Sequence, residues 1–305
     1  MKVFFRVDGS SKIGLGHIYR SMVMANEFRK NDYEPVFLSR HNEEKPLNLI
    51  KDKGYGLIAL SQEYKKDYNT VKEVLIKNPD SILYIDNYDI DSNYEKEIKS
   101  YCKLIVRMDD LPQHHFYSDI FINQNYGSEH IEHHTEPYTK KLLGVKYTLL
   151  RDEFLIYPQR EREINKKVKK IMVNFGGSDV SNQTLRISGI FKEIVKNYPN
   201  LEINIIVGNS YKYLEQLKES IKGYENNFKI HFNVKNMADI MCDMDLAISA
   251  GGSTLWELCY MGVPIIGIIV ADNQEKLVKN LNSDKIIINL DWYNEVGDSE
   301  IKTKI

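Results

Sequence analysis

Short apolar runs alternate with amphipathic stretches almost from one end of the chain to the other, and this rhythm constrains the fold more than any other feature. In the first half the apolar runs lie at residues 3–7, 35–38, 56–60, 82–85 and 104–106, each of strand length. The clearest amphipathic stretch between them covers residues 17–30, where Ile18, Met22, Ala25 and Phe28 share one helical face. Strands that alternate with helices in this way form a parallel sheet with helices on both faces.

The rhythm breaks between Arg151 and Lys170, where a charged stretch from Gln159 is nearly free of apolar residues, and it restarts afterwards. Strands are expected at 171–175, 203–207, 230–232, 246–249, 264–270 and 286–289. Helices are expected at 182–196, 236–241, 254–260 and 275–281. The expected organisation is an N-terminal Rossmann-like domain over 1–150, a surface linker over 151–169 and a C-terminal Rossmann-like domain over 170–305. A chain of 305 residues is long enough for two cores. Two consecutive doubly wound α/β domains place a ligand cleft at the carboxyl ends of their strands.

Composition narrows the function by exclusion. A formal net charge of −2 lacks the basic excess of a nucleic-acid binder. Cys102, Cys242 and Cys259 have no CxxC spacing and an odd count, which fits a reducing cytoplasm better than a disulfide framework. The apolar run at residues 3–7 is too short for a signal peptide, and no stretch reaches the roughly 20 apolar residues of a membrane span.

Three strand-to-helix junctions carry candidate chemistry. The first is Asp8-Gly-Ser-Ser-Lys-Ile-Gly-Leu-Gly-His-Ile-Tyr-Arg20. Gly14 and Gly16 allow close backbone approach to a ligand, and His17 at the helix start is a side chain able to accept a proton. The third glycine of a dinucleotide fingerprint is missing and the loop is too long, which argues against a nicotinamide cofactor. The second junction is Asn174-Phe-Gly-Gly-Ser-Asp179, with Gly176, Gly177 and Ser178 as a phosphate cradle. There Asp179 or Ser181 is expected to cap the following helix. The third is Ser249-Ala-Gly-Gly-Ser-Thr-Leu-Trp-Glu257, where Gly252, Ser253 and Thr254 again offer a phosphate turn. Glu257 reads either as a ribose ligand or as the glutamate of a capping box. Asp109-Asp110 reads as a metal or acid–base pair, or as a turn. His130, His133 and His134 have metal-ligand spacing, but their polar surroundings favour a solvated loop.

Taken together, the Gly14-x-Gly16-His17-x-x-Arg20, Asn174–Asp179 and Ile248–Glu257 segments resemble the UDP-2,4-diacetamido-2,4,6-trideoxy-β-L-altropyranose hydrolases of pseudaminic acid biosynthesis. That family is related to the lipid II N-acetylglucosaminyltransferase and to spore-coat polysaccharide proteins. Residues 6–11, 108–110, 143–147 and 149–154 extend the resemblance along most of the chain.

The resemblance implies a GT-B fold, two Rossmann-like domains facing a cleft, and a cytoplasmic, monomeric, metal-independent enzyme without a cofactor. It implies His17 as general base, with Gly14, Gly16, Arg20, Tyr88, Asn273 and Gln274 on the sugar and diphosphate side. It assigns UDP to Gly176, Gly177, Ser178, Asn236, Met237, Gly252, Ser253, Thr254 and Glu257. The long C-terminal return helix common in GT-B enzymes is expected to be absent or reduced. The implied reaction is attack of water on the anomeric carbon with inversion. The alternatives are a glycosyltransferase on the same fold and a nucleotide-sugar-binding protein without turnover.

Overall fold

The first strand, β1 (Lys2–Val7), shows how alternation builds the layers. Val3, Phe5 and Val7 point to one face of the sheet and Phe4 to the other, and all four are buried. The computed structural model describes residues 1–10, 15–40, 44–111, 114–157 and 162–305. The chain divides into two units, Met1–Leu149 and Leu150–Ile305.

In the first unit β1 is joined by β2 (Glu34–Arg40), β3 (Gly56–Leu60), β4 (Ile82–Asp86), β5 (Leu104–Met108), β6 (Ile120–Asn123) and β7 (Lys140–Leu143). All pair in parallel, in the order β3-β2-β1-β4-β5-β6-β7. The helices are α1 (Gly16–Lys30), α2 (Glu44–Asp52), α3 (Tyr64–Ile76) and α4 (Ser92–Ile98). Ile18, Met22 and Ala25 of α1 pack with Phe5, Tyr84 and Met108 on one face. Val71 and Leu75 of α3 and Tyr94 and Ile98 of α4 pack with Phe4, Leu83 and Ile105 on the other.

Neither β6 nor β7 was expected. Both are short, and the edge strand β7 opens with the exposed Lys140 and Lys141, so no apolar run marks it.

The second unit holds β8 (Lys170–Asn174), β9 (Glu202–Val207), β10 (Phe228–Phe232), β11 (Leu246–Ala250), β12 (Ile265–Ile269) and β13 (Ile288–Trp292). They are parallel, in the order β10-β9-β8-β11-β12-β13. Its helices are α5 (Asp152–Leu155), α6 (Gln183–Val195), α7 (Leu214–Ser220), α8 (Met237–Met241), α9 (Thr254–Tyr260), α10 (Asp272–Ser283) and α11 (Asp298–Lys304). Ile187, Ile190 and Phe191 of α6 and Ile301 of α11 share a core with Val173, Ile205, Ile248 and Ile268 of the sheet.

The last strand begins at Ile288, later than the expected 286. The turn after α10 continues through Lys285, which adopts left-handed backbone, and Ile286 N–H donates back to the Leu281 carbonyl.

The stretch expected as a linker is not uniform. Phe154 of α5 is fully buried, Glu153 accepts from the Met237 amide at 2.9 Å, and Tyr157 donates to Asp239 at 2.5 Å. Residues 163–169 are exposed and lie outside regular structure, while 158–161 fall outside the described residues. No helix among the described residues is long and apolar enough to cross a membrane.

Candidate functional site

Each sheet reverses its strand order beside its first strand, between β1 and β4 and between β8 and β11. Loops at the carboxyl ends of such strands form the usual ligand crevice of a doubly wound sheet. All three junctions singled out in the sequence follow one of these strands: β1, β8 or β11.

In the first unit, strand parity decides what meets α1. Ile82 and Tyr84 face α1, so Asp86 faces it too, at the end of β4. Asp86 is 0% exposed. Its Oδ1 lies 2.7 Å from His17 Nδ1, and Arg20 Nε donates to its Oδ2 at 2.5 Å. A second guanidinium nitrogen of Arg20 donates to Oδ1, and the Ser21 hydroxyl donates to Oδ2 at 3.4 Å.

Burial alone would raise the Asp86 carboxyl. Arg20 and then His17 outweigh burial and hold it well below the usual carboxylate range. Tyr88 stands edge-on to the His17 ring, with centroids 4.7 Å apart, and its hydroxyl donates to Asp110 at 2.5 Å. Asp110 in turn lies 3.5 Å from Arg20. Burial, followed by the negative charge of Asp110, pushes the Tyr88 phenol far above its ordinary value.

His17, Arg20 and Tyr88 are therefore brought together, with the Arg20 guanidinium committed to two carboxylates. Gly16 opens the helix, and Gly14 lies outside the described residues. The sequence reading missed Asp86. Its signal was a carboxylate ending a strand that flanks the strand-order reversal.

Asp109 and Asp110 do not form a carboxylate pair. Successive residues point to opposite faces, so Asp110 joins the α1 side while Asp109 accepts from the buried Arg107 at 2.5 Å on the other. On that second side Asp8, at the end of β1, accepts from Arg6 at 2.8 and 2.9 Å, from the Arg40 amide at 2.7 Å and from Asn87 at 2.6 Å. Arg6 and then Arg40 offset the burial of Asp8 and lower its carboxyl. These contacts fix the root of the loop that carries the glycines.

The histidine cluster is not a solvated loop throughout. His130 and His134 are exposed, but His133 is 4% exposed, packs on Phe121 and contacts the Ser128 carbonyl at 2.9 Å. Among the described residues no three His, Cys, Asp or Glu side chains group to hold a metal ion.

In the second unit Gly176 adopts left-handed backbone (φ +84°), and Gly176 and Gly177 are exposed beside Ser178. Asp179, not Ser181, caps α6: its carboxylate accepts from the amides of Gln183 at 2.9 Å and Thr184 at 2.7 Å. Those amides are thereby filled, which leaves the turn rather than the helix start to meet an anion.

After β11, a side chain at Gly251 would run into Val278, so the turn lies close against α10. Gln274 secures this packing by accepting from the amides of Gly251 at 3.2 Å and Val270 at 3.1 Å. Asn273 beside it is exposed. Gly252, Ser253 and Thr254 start α9, and Ser253 makes no side-chain cap.

Glu257 is accordingly not the partner in a capping box. Its two oxygens accept from Arg151 at 2.8 and 3.0 Å, and it is 7% exposed. Burial raises its carboxyl; Arg151 opposes the rise and Glu153 adds to it. Asn236 caps α8, and Met237 is buried behind it.

Residues 170–295 match the glycosyltransferase family 28 C-terminal domain. The chain is 31% identical over 274 residues to an uncharacterised protein of Methanocaldococcus jannaschii, covering 87% of this chain and 55% of that protein. It thus spans about half the length of that relative. It is 29% identical over 280 residues to the UDP-2,4-diacetamido-2,4,6-trideoxy-β-L-altropyranose hydrolase of Campylobacter jejuni, covering 90% of this chain and 94% of the hydrolase. Among solved structures, MurG of Acinetobacter baumannii superposes with a TM-score of 0.65 at 11% identity, over 99% of this chain and 89% of that one. The chain is a two-domain α/β protein of GT-B-like fold whose residues 170–295 are similar to the glycosyltransferase family 28 C-terminal domain and which resembles the Campylobacter hydrolase along most of its length.

Proposed function

We propose that this chain hydrolyses a UDP-linked sugar, of the diacetamido-trideoxy class, to UDP and the free sugar. The observation that carries the proposal is the pairing of His17 with the buried Asp86 at the strand-order reversal of the first unit. Similarity to the Campylobacter hydrolase over 90% of the chain supports the choice of substrate class.

In this reading His17 Nε2 takes a proton from water as the water oxygen bonds to the anomeric carbon. The bond from that carbon to the diphosphate oxygen breaks, and its electron pair leaves with UDP. Attack by water from the opposite face inverts the anomeric centre. The second unit holds the nucleotide. Its turns at Gly176–Ser178 and Gly252–Thr254 take up the charge of the departing diphosphate, and Glu257 meets the ribose diol.

The test is incubation of the purified protein with UDP-sugars in oxygen-18 water, without any acceptor. UDP and free sugar should both accumulate, with the label on the sugar and an inverted anomer in an early proton spectrum. Label in UDP would mean that phosphorus is attacked. The family 28 domain match favours a second reading, transfer to a sugar or lipid acceptor. A protein that releases UDP only when an acceptor is added would establish that reading instead.

A further inference from the structure

We infer that Asp86 is a positioning residue for His17: its carboxylate keeps a proton on Nδ1 and so leaves Nε2 as the ring's proton-accepting atom. The inference rests on the reading of His17 as the base. It starts from donor counting. A carboxylate gripped by a guanidinium at both oxygens can only accept hydrogen bonds. His17 Nδ1 lies 2.7 Å from one of those oxygens, so Nδ1 must be the donor. An Arg20 nitrogen also lies 3.0 Å from Nδ1, but arginine has no acceptor, and two donors cannot bond to each other. That approach is a by-product of both groups converging on Asp86. The neutral ring is thereby assigned one tautomer.

Neighbouring groups hold Asp86 and the His17 ring in this arrangement. Ser21 donates to Asp86 Oδ2 from the same helix. Arg20 ties Asp86 to Asp110, and Asp110 holds Tyr88 by its hydroxyl. Tyr88, with its ring at 85° to the imidazole, limits the rotation that would exchange the two ring nitrogens. Asp86 itself cannot swing away, since it ends a central strand and is fully buried. His17 and Arg20 are three residues apart on α1, so one helical turn delivers the base and the clamp on its partner.

Two measurements test the inference, one independent of turnover. Nitrogen-15 spectra of the imidazoles, with His17 assigned by its loss in His17→Asn, should show the neutral ring protonated on Nδ1 in the wild-type protein. A ring protonated on Nε2 overturns the inference. In hydrolysis assays Asp86→Asn should lower kcat by about 10-fold or more, but by no more than His17→Asn does, as when a histidine base loses its orienting carboxylate, with KM changed only a few-fold. Near-wild-type kcat in a folded Asp86→Asn protein also overturns it, and leaves the reading of His17 as the base intact if His17→Asn is inactive. If His17→Asn is fully active, the reading of His17 as the base falls and the spectrum alone decides the tautomer. Should Asp86→Asn fail to fold, the wild-type spectrum decides as well.

Discussion

Asp86 in the first unit and Glu257 in the second are both buried carboxylates gripped at two points by an arginine, yet their acidities move in opposite directions. Burial raises each of them. Asp86 has a second favourable neighbour in His17 and ends below the ordinary range. Glu257 has Arg151 alone, with Glu153 working against it, and ends above. A single arginine therefore does not compensate the desolvation of a carboxylate here, whereas an arginine with a histidine does. The first unit has a charge fixed within a closed network. The second has a carboxylate answered by one arginine alone.

If that contrast separates chemistry from binding, substitutions in the two units should have separable effects. The largest is expected for His17→Asn, which should reduce turnover by about 100-fold or more, the usual scale for a lost general base. UDP affinity measured by calorimetry should stay within a few-fold, and a parallel loss of binding would erase the division of labour. Next, Glu257→Ala should weaken UDP binding by about 1–3 kcal/mol, the cost of a lost charge-assisted hydrogen bond. Unchanged binding would remove Glu257 from the nucleotide site.

Smaller effects should appear in stability against pH. The folded-state value of Asp86 is lowered, so its contribution is present above the unfolded carboxylate value of about 4 and is lost as pH falls through the folded value. The folded-state value of Glu257 is raised, so its contribution is present below the unfolded value of about 4.3 and is lost as pH rises through the folded value. Thermal unfolding across acid to neutral pH should therefore show the gap between wild type and Asp86→Asn shrinking towards acid. The gap between wild type and Glu257→Gln should shrink towards neutral pH instead. Slopes of the same sign would refute the contrast. The smallest effect is expected from excess chelator, which should leave hydrolysis unchanged within experimental error. Loss of activity restored by magnesium or manganese would return Asp110 to consideration as a ligand.

Much of this was legible in the sequence because it is local. Glycines beside a strand end, and apolar runs of strand length, are read within a few residues of one another. All three glycine-containing turns do follow strands at the strand-order reversals. What was not legible depends on parity and distance along the chain. His17 and Asp86 are far apart in sequence, and only the strand count on β4 places Asp86 towards α1. The same parity splits Asp109 from Asp110, although adjacency suggested a pair. Asp179 took the capping role from Ser181 because its positive φ of 38° turns its carboxylate onto amides four and five residues ahead.

The strap formed by Arg151, Glu153, Phe154 and Tyr157 bears on how the second unit can be obtained as a separate polypeptide. Composition invites a cut near Lys167, after the charged stretch. Such a fragment would lose the counter-ion of Glu257, leave the Met237 amide without its Glu153 acceptor and lack the buried Phe154. A fragment starting at Leu150 retains all three. Expression trials should give a soluble, monodisperse domain from the longer fragment and an aggregation-prone one from the shorter. Any nucleotide titration on the shorter piece would then be measuring the missing strap rather than the site.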